Sequence, residues 1–416
     1  MSRSILLVAY FYPPCRDTGI LRSVAMAKWL RRLGHRVTVL TTSAYGELPT
    51  DSDEPVVRTP DAQLWRARLR GKERIDALFD ADTYSGRPHF LSKVVVPEPL
   101  AVAWAPFARR RALALHRSER FDCVITTSPP ESAHTIGRAL QRRGVPWVAD
   151  VRDAWTFEPL RPAFPTPLQR RLDDRMERRL LGAADAVVCV SEPAAEDLRS
   201  RGVADPALIP NGWDPETVPE PESEPAAGFK PDRATLLYTG RFGSYGRDPR
   251  PLVDAIGRLA RERPDAANRF ELAIAGPVTE DEARLLSADV APARITLLGS
   301  LPRQRALAAQ GAADALLLIA QPTRSQLLNI KLFEYLAAGR PILALAAGTE
   351  AGRVVEEIGG ETVPADDSEA IAAALERFVA GELRPPPPDA VAPYTYPAPA
   401  ELMAGTVESA IARRSG

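Results

Sequence analysis

The chain has few cysteines, no long apolar run and almost no net charge. Its three cysteines, Cys15, Cys123 and Cys189, are odd in number and far apart, which excludes a disulfide framework and a cysteine-based metal site. No stretch of about 18 apolar residues is present, so the sequence predicts no membrane-spanning helix. The apolar start is too short and too aromatic for a signal peptide, and a net charge of −1 gives no overall field for nucleic acid. We therefore expect a cytoplasmic protein with no nucleic-acid partner, and peripheral contact with the inner face of a membrane is the alternative.

Length and composition indicate two folded domains. Single hydrophobic cores rarely extend beyond about 250–300 residues, and this chain has 416 residues, of which 45% are hydrophobic and 26% charged, as in globular proteins. A segment rich in proline and glutamate separates two parts with the same pattern. We predict an N-terminal domain over residues 1–217 and a C-terminal domain over residues 218–393. The end of the chain, residues 394–416, contains a predicted last helix and is expected to pack back onto the first domain.

Short apolar runs alternate with helical stretches in both parts. Strands are predicted at residues 4–11, 36–42, 122–128, 146–151 and 186–191, and at 235–240, 270–276, 294–299, 315–320 and 341–346. Helices are predicted at residues 19–33, 131–143 and 167–182, and at 249–263, 280–286, 303–310, 330–338 and 367–380. Apolar strands joined by helices are typical of parallel sheets covered on both faces. The sequence therefore predicts an α/β protein with two Rossmann-like, doubly wound domains, whose ligands bind at the carboxyl ends of the strands.

The segment QPTRSQLLNIKLFEYLAAGRPILAL, residues 321–345, is typical of a loop followed by a helix and a strand. Free amides at the helix start, including those of Leu327, Leu328 and Asn329, are suited to bind an anion such as a diphosphate. Glu334, one turn into the helix, could accept two hydrogen bonds from a ribose diol. A surface helix with a solvated pair of Lys331 and Glu334 is the alternative interpretation.

The same helix has a predicted buried side. Ile330, Phe333 and Ala337 follow each other at helical spacing and are expected to face the core. Tyr335 is expected on the opposite side, together with the lysine and the glutamate.

Two further segments place a glycine or an arginine directly after a predicted strand. Gly19 lies at a helix start, where the absence of a side chain lets backbone approach a phosphate or sugar closely. Arg241, in TGRFGSYGRD, could clamp a diphosphate with a fork of hydrogen bonds, and Arg247 could add a second positive charge. A plain turn glycine and solvated arginines are the alternatives.

These segments, together with several other motifs, resemble the retaining GT-B glycosyltransferases of family 4. The other motifs are GHRVTVLTT, SPPESAHTIGRAL, PWVADVRDAW, VSEPAAEDL and IPNGWD. The resemblance covers most of the chain and is closest to the subgroup that acts on exopolysaccharide or O-antigen precursors. It implies a GT-B fold, in which two Rossmann-like domains face an inter-domain cleft. It also implies that a nucleotide sugar binds the C-terminal domain and that an acceptor binds the N-terminal one.

The resemblance assigns roles on the donor side. Glu334 matches the second acid of a Glu-x7-Glu motif, which holds the ribose hydroxyls, and Gln326 stands where the first acid contacts the transferred sugar. Arg241 matches the arginine that binds the diphosphate. The lysine usually found five residues later is absent here, so Arg247 or Lys331 would have to supply its charge.

The remaining assignments concern the glycine loops and the acceptor. Gly19 matches the loop that faces the diphosphate, and backbone groups near Gly299 would contact the base. Arg152 stands where many members carry a histidine. The other acceptor-side candidates are Asp150 and Asp153, which lie close to this arginine in sequence, and His134, which lies early in the 131–143 helix. An Asp–Arg pair that fixes a loop and a histidine satisfied inside the fold are the alternatives.

These roles imply that the enzyme works by stabilising the leaving group through Arg241, Arg247 and helix amides. Asp153 and Gln326 are further catalytic candidates. No metal ion is expected to take part. We expect a metal-independent retaining glycosyltransferase that uses a nucleotide-diphosphate sugar, with UDP as the first choice and GDP or dTDP as alternatives. The acceptor would be a small molecule, a glycan or a lipid-linked sugar. A UDP-sugar epimerase or hydrolase and a non-catalytic partner subunit are rival interpretations.

One stretch bears on the membrane alternative. Residues 89–117 mix large apolar residues with Arg109, Arg110 and Arg111. They could lie on a membrane surface, or they could form a helix half-buried in the first domain. The number of subunits stays open.

Overall fold

The computed structural model describes residues 1–15, 19–46, 55–62, 64, 103–153, 155–156, 166–217, 229, 232–243, 247–320, 328 and 330–415. The chain forms two compact units, one from Met1–Asn211 with Tyr396–Gly416 and the other from Gly212–Thr395. Most of residues 218–234, the segment rich in proline and glutamate that separates the two predicted domains, lies outside the described residues.

In its described part, the first unit has a parallel sheet of seven strands in the order β3-β2-β1-β4-β5-β6-β7. The strands are β1 (Ser4–Ala9), β2 (Arg36–Thr42), β3 (Val56–Thr59), β4 (Cys123–Ser128), β5 (Trp147–Val151), β6 (Ala186–Cys189) and β7 (Ala207–Leu208). Ile5 of β1 lies opposite Val37 of β2 on one side and Cys123 of β4 on the other. Strands β1, β4 and β5 are buried along their whole length, and β1 is accordingly apolar without alternation from Ile5 to Ala9.

Helices cover both faces of this sheet. The helices are α1 (Ile20–Arg32), α2 (Ala105–Glu119), α3 (His134–Gln141), α4 (Pro167–Leu181), α5 (Glu192–Ser200) and the last helix of the chain, Ala398–Ser415. One face packs against α1 and the last helix, through Met26, Leu30, Met403 and Val407. The other face packs against α2, α3, α4 and α5. The last helix is also tied to the start of β1, because Arg3 pairs with Glu408 at 2.6 Å.

In the second unit, the described residues form a parallel sheet of six strands in the order β10-β9-β8-β11-β12-β13. The strands are β8 (Ala234–Thr239), β9 (Phe270–Ala275), β10 (Arg294–Gly299), β11 (Ala315–Ile319), β12 (Ile342–Leu345) and β13 (Glu361–Val363). The helices of this unit are α6 (Arg250–Glu262), α7 (Pro264–Asn268), α8 (Glu280–Leu286), α9 (Arg303–Ala312), α10 (Ile330–Ala338), α11 (Glu350–Glu357), α12 (Ser368–Val379) and α13 (Pro388–Val391). The last helix of the chain, which packs on the first unit, is α14. Helices α6, α8 and α12 cover one face of the sheet, and α9, α10 and α11 cover the other.

The predicted fold class is confirmed, since both units are parallel α/β sheets covered by helices. All ten predicted strands are present, with ends shifted by two residues at most. The additional strands β3, β7 and β13 have two to four residues each, which is too short for a periodic pattern. Among the described helices, none is both long enough and apolar enough to cross a membrane.

The predicted orientation of α10 was correct for Phe333, which is buried, and wrong for Tyr335, which is buried as well. Its buried residues are Leu332, Phe333, Tyr335 and Leu336, whereas Ile330 is partly exposed. The helix buries a wide stripe because it packs against both the sheet and its neighbouring helices. Tyr335 tolerates burial because its hydroxyl finds hydrogen-bond partners there.

Candidate functional site

In the second unit, three neighbouring strands end in glycines. Gly240 follows β8, Gly276 follows β9 and Gly299 is the last residue of β10. The Gly240 amide donates to the Ala275 carbonyl at 2.9 Å, and the Gly276 amide donates to the Gly299 carbonyl at 2.8 Å. A Cβ atom on Gly276 would lie only 1.9 Å from the Gly240 carbonyl oxygen. The carboxyl edge of the sheet is therefore built from backbone, which leaves room for a ligand.

Two arginines lie in the turn after β8. The Arg241 carbonyl accepts hydrogen bonds from the Tyr238 hydroxyl at 2.8 Å and from Arg247 Nη1 at 3.1 Å. Arg247 Nη1 also lies 3.3 Å from the Tyr238 hydroxyl. The Arg241 residue itself is exposed. Arg247 thus fixes the turn, and the turn presents Arg241 at the glycine edge.

Helix α10 adds a lysine and a glutamate to this edge. Lys331 lies against the turn, since its Cε atom is 3.3 Å from the position that a Cβ on Gly240 would take. Burial lowers the pKa of Lys331; Glu334 opposes the shift, and the charges of Arg247 and Arg303 add to it. The Lys331 Nζ atom is 4.0 Å from Glu334 Oε2. The structure therefore brings the predicted residues Arg247, Lys331 and Glu334 into one electrostatic cluster.

Arg303, the first residue of α9, completes the cluster. Its Nη1 atom donates a hydrogen bond to Glu334 Oε1, and the Glu334 side chain is largely buried between its partners. Each oxygen of this carboxylate thus has a cation near it. We call Arg247, Arg303, Lys331 and Glu334, together with Arg241 in the adjoining turn, the cation cluster. It has four positive charges and one negative charge, which suits a ligand with more than one negative charge.

The position of α10 is fixed by Tyr335. The Tyr335 hydroxyl accepts a hydrogen bond from the Thr239 amide at 3.1 Å and donates one to the Leu317 carbonyl at 3.1 Å. Burial raises the pKa of Tyr335, so the hydroxyl stays protonated. These bonds hold the helix to the ends of β8 and β11, and they therefore hold Lys331 and Glu334 at the glycine edge.

In the first unit, the predicted acceptor residue Asp150 lies in a buried ion pair. Arg22 Nη2 is 2.8 Å from one of its carboxylate oxygens and Arg22 Nε is 3.1 Å from the other. Arg22 also donates to the Pro210 carbonyl at 2.8 Å. Burial alone would raise the pKa of Asp150, but the charge and hydrogen bonds of Arg22 outweigh it, and the pKa falls. Asp150 is thus ionised and fixed at the end of β5.

Arg152 joins three carbonyl groups at the same edge. Its Nε atom donates to the Ser128 carbonyl at 2.9 Å, its Nη1 atom to the Gly19 carbonyl, and its Nη2 atom to the Pro129 carbonyl at 3.5 Å. The structure therefore brings Gly19 and Arg152 together, while the neighbouring Asp153 is exposed. Contact of Asp150, Arg152 and Asp153 with an acceptor stays a prediction.

His134 is enclosed within the first unit. Its Nδ1 atom is 2.8 Å from the Thr126 hydroxyl, and its ring stacks on Trp155 with 6.1 Å between centroids. Burial lowers the pKa of His134 to about 4, so its ring is neutral at ordinary pH. A direct role toward an acceptor stays a prediction for this residue as well.

Several predicted site residues lie outside the described residues. These are Gln326, Leu327 and Asn329, and also residues 89–102 of the stretch considered for a membrane surface. Leu328 is described and partly buried. In the described ranges, no cluster of three or more side chains of metal-ligating type occurs.

Sequence reasoning missed Arg22 and Arg303. The sequence does contain a signal for Arg22, because this residue falls on the same helical stripe as the apolar residues Met26 and Leu30. An arginine on a buried stripe needs a buried partner. The sequence contains no such signal for Arg303, since its pairing with Glu334 depends on how α9 and α10 pack.

Comparisons with known proteins agree with this architecture. Residues 19–212 match the family model of the glycosyl transferase 4-like domain, and residues 233–380 match that of the glycosyl transferases group 1. A phosphatidyl-myo-inositol mannosyltransferase from Mycolicibacterium smegmatis is 27% identical over 172 residues, which is 41% of this chain. The match spans 42% of that relative's length.

Two solved structures are similar over nearly the whole chain. A sucrose-phosphate synthase from Thermosynechococcus elongatus has a TM-score of 0.63 and 18% identity, over 97% of this chain and 98% of that one. The Anabaena protein HepE in complex with UDP has a TM-score of 0.55 and 14% identity, over 99% of this chain and 97% of that one. At these identities the likeness concerns the fold. The two matching models follow each other along the chain and together cover most of it, so the chain consists of a glycosyl transferase 4-like domain followed by a glycosyl transferases group 1 domain, in a fold of the GT-B type.

Proposed function

We propose that the chain is a retaining glycosyltransferase that moves a sugar from a nucleotide-diphosphate sugar to a hydroxyl group without a metal ion. The observation that carries the proposal is the cation cluster at the glycine edge of the second sheet. It combines an excess of positive charge with one fixed carboxylate, and a nucleoside diphosphate offers the matching groups: two phosphates and a ribose diol.

On the donor side, each residue of the cluster has a defined task. Arg241 and Lys331 bind the diphosphate, and Arg247 holds the turn that carries Arg241. Glu334 accepts hydrogen bonds from the ribose diol. Arg303 keeps the carboxylate in place. UDP is the nucleotide to test first, because the Anabaena protein of similar fold was solved with UDP.

The reaction needs no protein nucleophile. The bond between the anomeric carbon and the diphosphate oxygen breaks, and its electron pair leaves with the diphosphate. The acceptor oxygen forms the new bond to the anomeric carbon on the same face, and its proton passes to the departing phosphate oxygen. The arginines and the lysine stabilise the charge that grows on the diphosphate, which is the main source of rate in such a site.

On the acceptor side, the first unit supplies a fixed edge. The Arg22–Asp150 pair and the bonds of Arg152 to three carbonyls hold Gly19, β4 and β5 in one arrangement. The exposed Asp153 is the carboxylate that would orient an acceptor hydroxyl. We infer that the acceptor is a small molecule, a glycan or a lipid-linked sugar, as the resemblance to the exopolysaccharide and O-antigen subgroup implies.

The first test is a thermal-shift screen of the whole chain against UDP, GDP and dTDP, followed by their sugars. At about 100 times Kd a ligand raises the free energy of unfolding by about 2.7 kcal/mol. A shift with one of these diphosphates supports the donor site, and no shift with any of them contradicts it.

A donor-only assay then separates transfer from its rivals. Release of the nucleoside diphosphate that depends on an added acceptor supports transfer. Release or sugar interconversion without any acceptor would instead identify a hydrolase or an epimerase. Tight binding with no turnover of any donor would identify a non-catalytic subunit.

A further inference from the structure

Three neighbouring helices on one face of the first unit carry a dense array of arginines. Helices α2, α3 and α4 lie side by side on the same face of the sheet. Ten arginines on these helices, or in the turn after α3, are exposed: Arg109, Arg110, Arg111, Arg117, Arg142, Arg143, Arg170, Arg171, Arg175 and Arg179. We call this set the arginine face. The chain as a whole has a net charge of −1, so this face is a local concentration of positive charge.

The acidic residues of the same helices do not neutralise it. Asp173 and Glu177 of α4 are buried, and Asp174 pairs with Arg178 and Arg201. Glu119 of α2 accepts a hydrogen bond from Thr38. Among the residues that the structure describes, no acid forms an ion pair with any of the ten arginines of the face.

Large apolar side chains are exposed on the same helices. Phe107, at the start of α2, has 44% of its surface exposed, and Leu168 and Leu172, at the start of α4, have 66% and 49% exposed. Arg109–Arg111 follow Phe107, and Arg170 and Arg171 lie between the two leucines. Each helix start thus combines exposed apolar groups with several positive charges.

These helix starts point to one end of the unit. Helix α2 leads into β4 and α4 leads into β6, and both strands belong to a parallel sheet. The helices therefore run opposite to the strands, and their first turns lie at the carboxyl edge of the sheet. Gly19 and Arg152 lie at the same edge.

We propose that the arginine face and the three apolar residues beside it dock the protein on a bilayer that contains anionic lipids. Arginines at a surface are attracted to anionic headgroups, and apolar side chains between them can enter the boundary with the acyl chains. A nucleic acid would match the arginines but offers no apolar layer for Phe107, Leu168 and Leu172. The combination of charge and apolar groups favours the bilayer.

The test is vesicle co-sedimentation of the whole chain. We expect binding to phosphatidylcholine vesicles that contain about 30% phosphatidylglycerol, little binding to phosphatidylcholine alone, and loss of binding in about 0.5 M salt. Equal binding to both kinds of vesicle, or to neither, would overturn the proposal. Neither result involves a nucleotide, so this test is separate from that of the donor site.

Matched variants locate the surface. The triple variant Arg170→Gln, Arg171→Gln, Arg175→Gln should lower the partition coefficient about tenfold or more. The control variant Arg261→Gln, Arg269→Gln, Arg284→Gln removes the same charge from exposed sites of the second unit and should change it less than about twofold. Equal losses in the two variants would contradict docking through α4. Thermal unfolding of both variants checks that they are folded.

Two further measurements address the apolar component and the rival partner. Leu168→Gln with Leu172→Gln should weaken vesicle binding even at low salt, because it removes the groups that enter the bilayer. An oligouridine probe tests nucleic acid in the same buffers. Binding of the probe that the arginine variant abolishes, with unchanged vesicle binding, would overturn the proposal in favour of RNA.

Discussion

At the scale of single residues, Glu334 is the most informative position. Its carboxylate is placed by two cations, Arg303 and Lys331, on a helix whose other residues are mostly apolar. Two fixed cations keep a carboxylate oriented, as an acceptor of hydrogen bonds from a diol requires.

Replacing this carboxylate should weaken nucleotide binding. Hydrogen bonds to charged groups contribute about 1.5–3 kcal/mol, so Glu334→Ala should weaken UDP binding about 10- to 100-fold in calorimetry. Glu382→Ala, which removes an exposed acid of the same unit, is the control and should leave affinity unchanged. Unchanged affinity in Glu334→Ala would refute the ribose role.

Arg241 is expected to act on turnover. Removing one donor to developing charge typically costs about 2.7–4 kcal/mol of transition-state stabilisation. Arg241→Ala should therefore reduce kcat about 10²- to 10³-fold once the donor is known. A variant with normal kcat would show that the diphosphate is stabilised elsewhere.

Two buried groups of the first unit have pKa values that are shifted in opposite directions. Burial lowers the pKa of His134 to about 4 and raises that of Glu177 to about 7. Below pH 6.5 the unfolded chain protonates His134 while the folded chain does not, so acidification costs stability. Glu177 does the reverse, because the folded chain takes up its proton first as the pH falls below 7.

The two variants should therefore diverge with pH. Relative to the wild type, His134→Gln should gain about 3 kcal/mol in free energy of unfolding as the pH falls from about 6.5 to 4, and Glu177→Gln should lose a similar amount between about 7 and 4.5. Urea unfolding at several pH values measures both. Parallel curves for the wild type and both variants would show that neither group titrates as described.

At the scale of elements, the glycine edge of the second sheet depends on contacts between strand ends. A methyl group on Gly276 would meet the Gly240 carbonyl oxygen at 1.9 Å, so Gly276→Ala must displace the turn that carries Arg241. We expect UDP affinity to fall by tenfold or more, at about 1.4 kcal/mol per tenfold.

The control for this change lies in a neighbouring helix. Gly311 of α9 has open space where a methyl group would go, so Gly311→Ala should keep the affinity of the wild type. If Gly276→Ala also kept it, the glycine edge would not shape the nucleotide site.

The elements differ in how far their sequences predicted them. The long strands followed from largely apolar runs such as SILLVA and FELAIA, because a strand covered on both faces is mostly apolar. The orientation of α10 did not follow, since nearly all of its residues are apolar and no single stripe stands out. Tyr335 was placed on the wrong side because its buried hydrogen bonds involve β8 and β11, which are distant in sequence.

At the scale of the whole molecule, sequence motifs predicted the fold class and several members of the cation cluster. Arg247, Lys331 and Glu334 come together because β8 and β11 are neighbours in the sheet, and that order follows from a doubly wound topology. The ion-pair partners Arg22 and Arg303 could be identified only from the three-dimensional structure, since pairing between distant elements leaves no pattern along the chain. The arginine face likewise becomes visible only when α2, α3 and α4 are seen side by side.

The central claim is that the cation cluster holds the diphosphate of a sugar nucleotide. Calorimetric titration of the wild-type chain with UDP and with UMP tests it directly, because the two ligands differ only in the terminal phosphate. If the donor is a UDP-sugar, UDP should bind at least about tenfold more tightly than UMP, a difference of about 1.4 kcal/mol in binding free energy. Arg241→Ala should remove most of that preference. For a GDP-sugar or dTDP-sugar donor, the corresponding diphosphate and monophosphate are compared. Equal affinities for the diphosphate and the monophosphate, or a preference that survives in Arg241→Ala, would contradict the account.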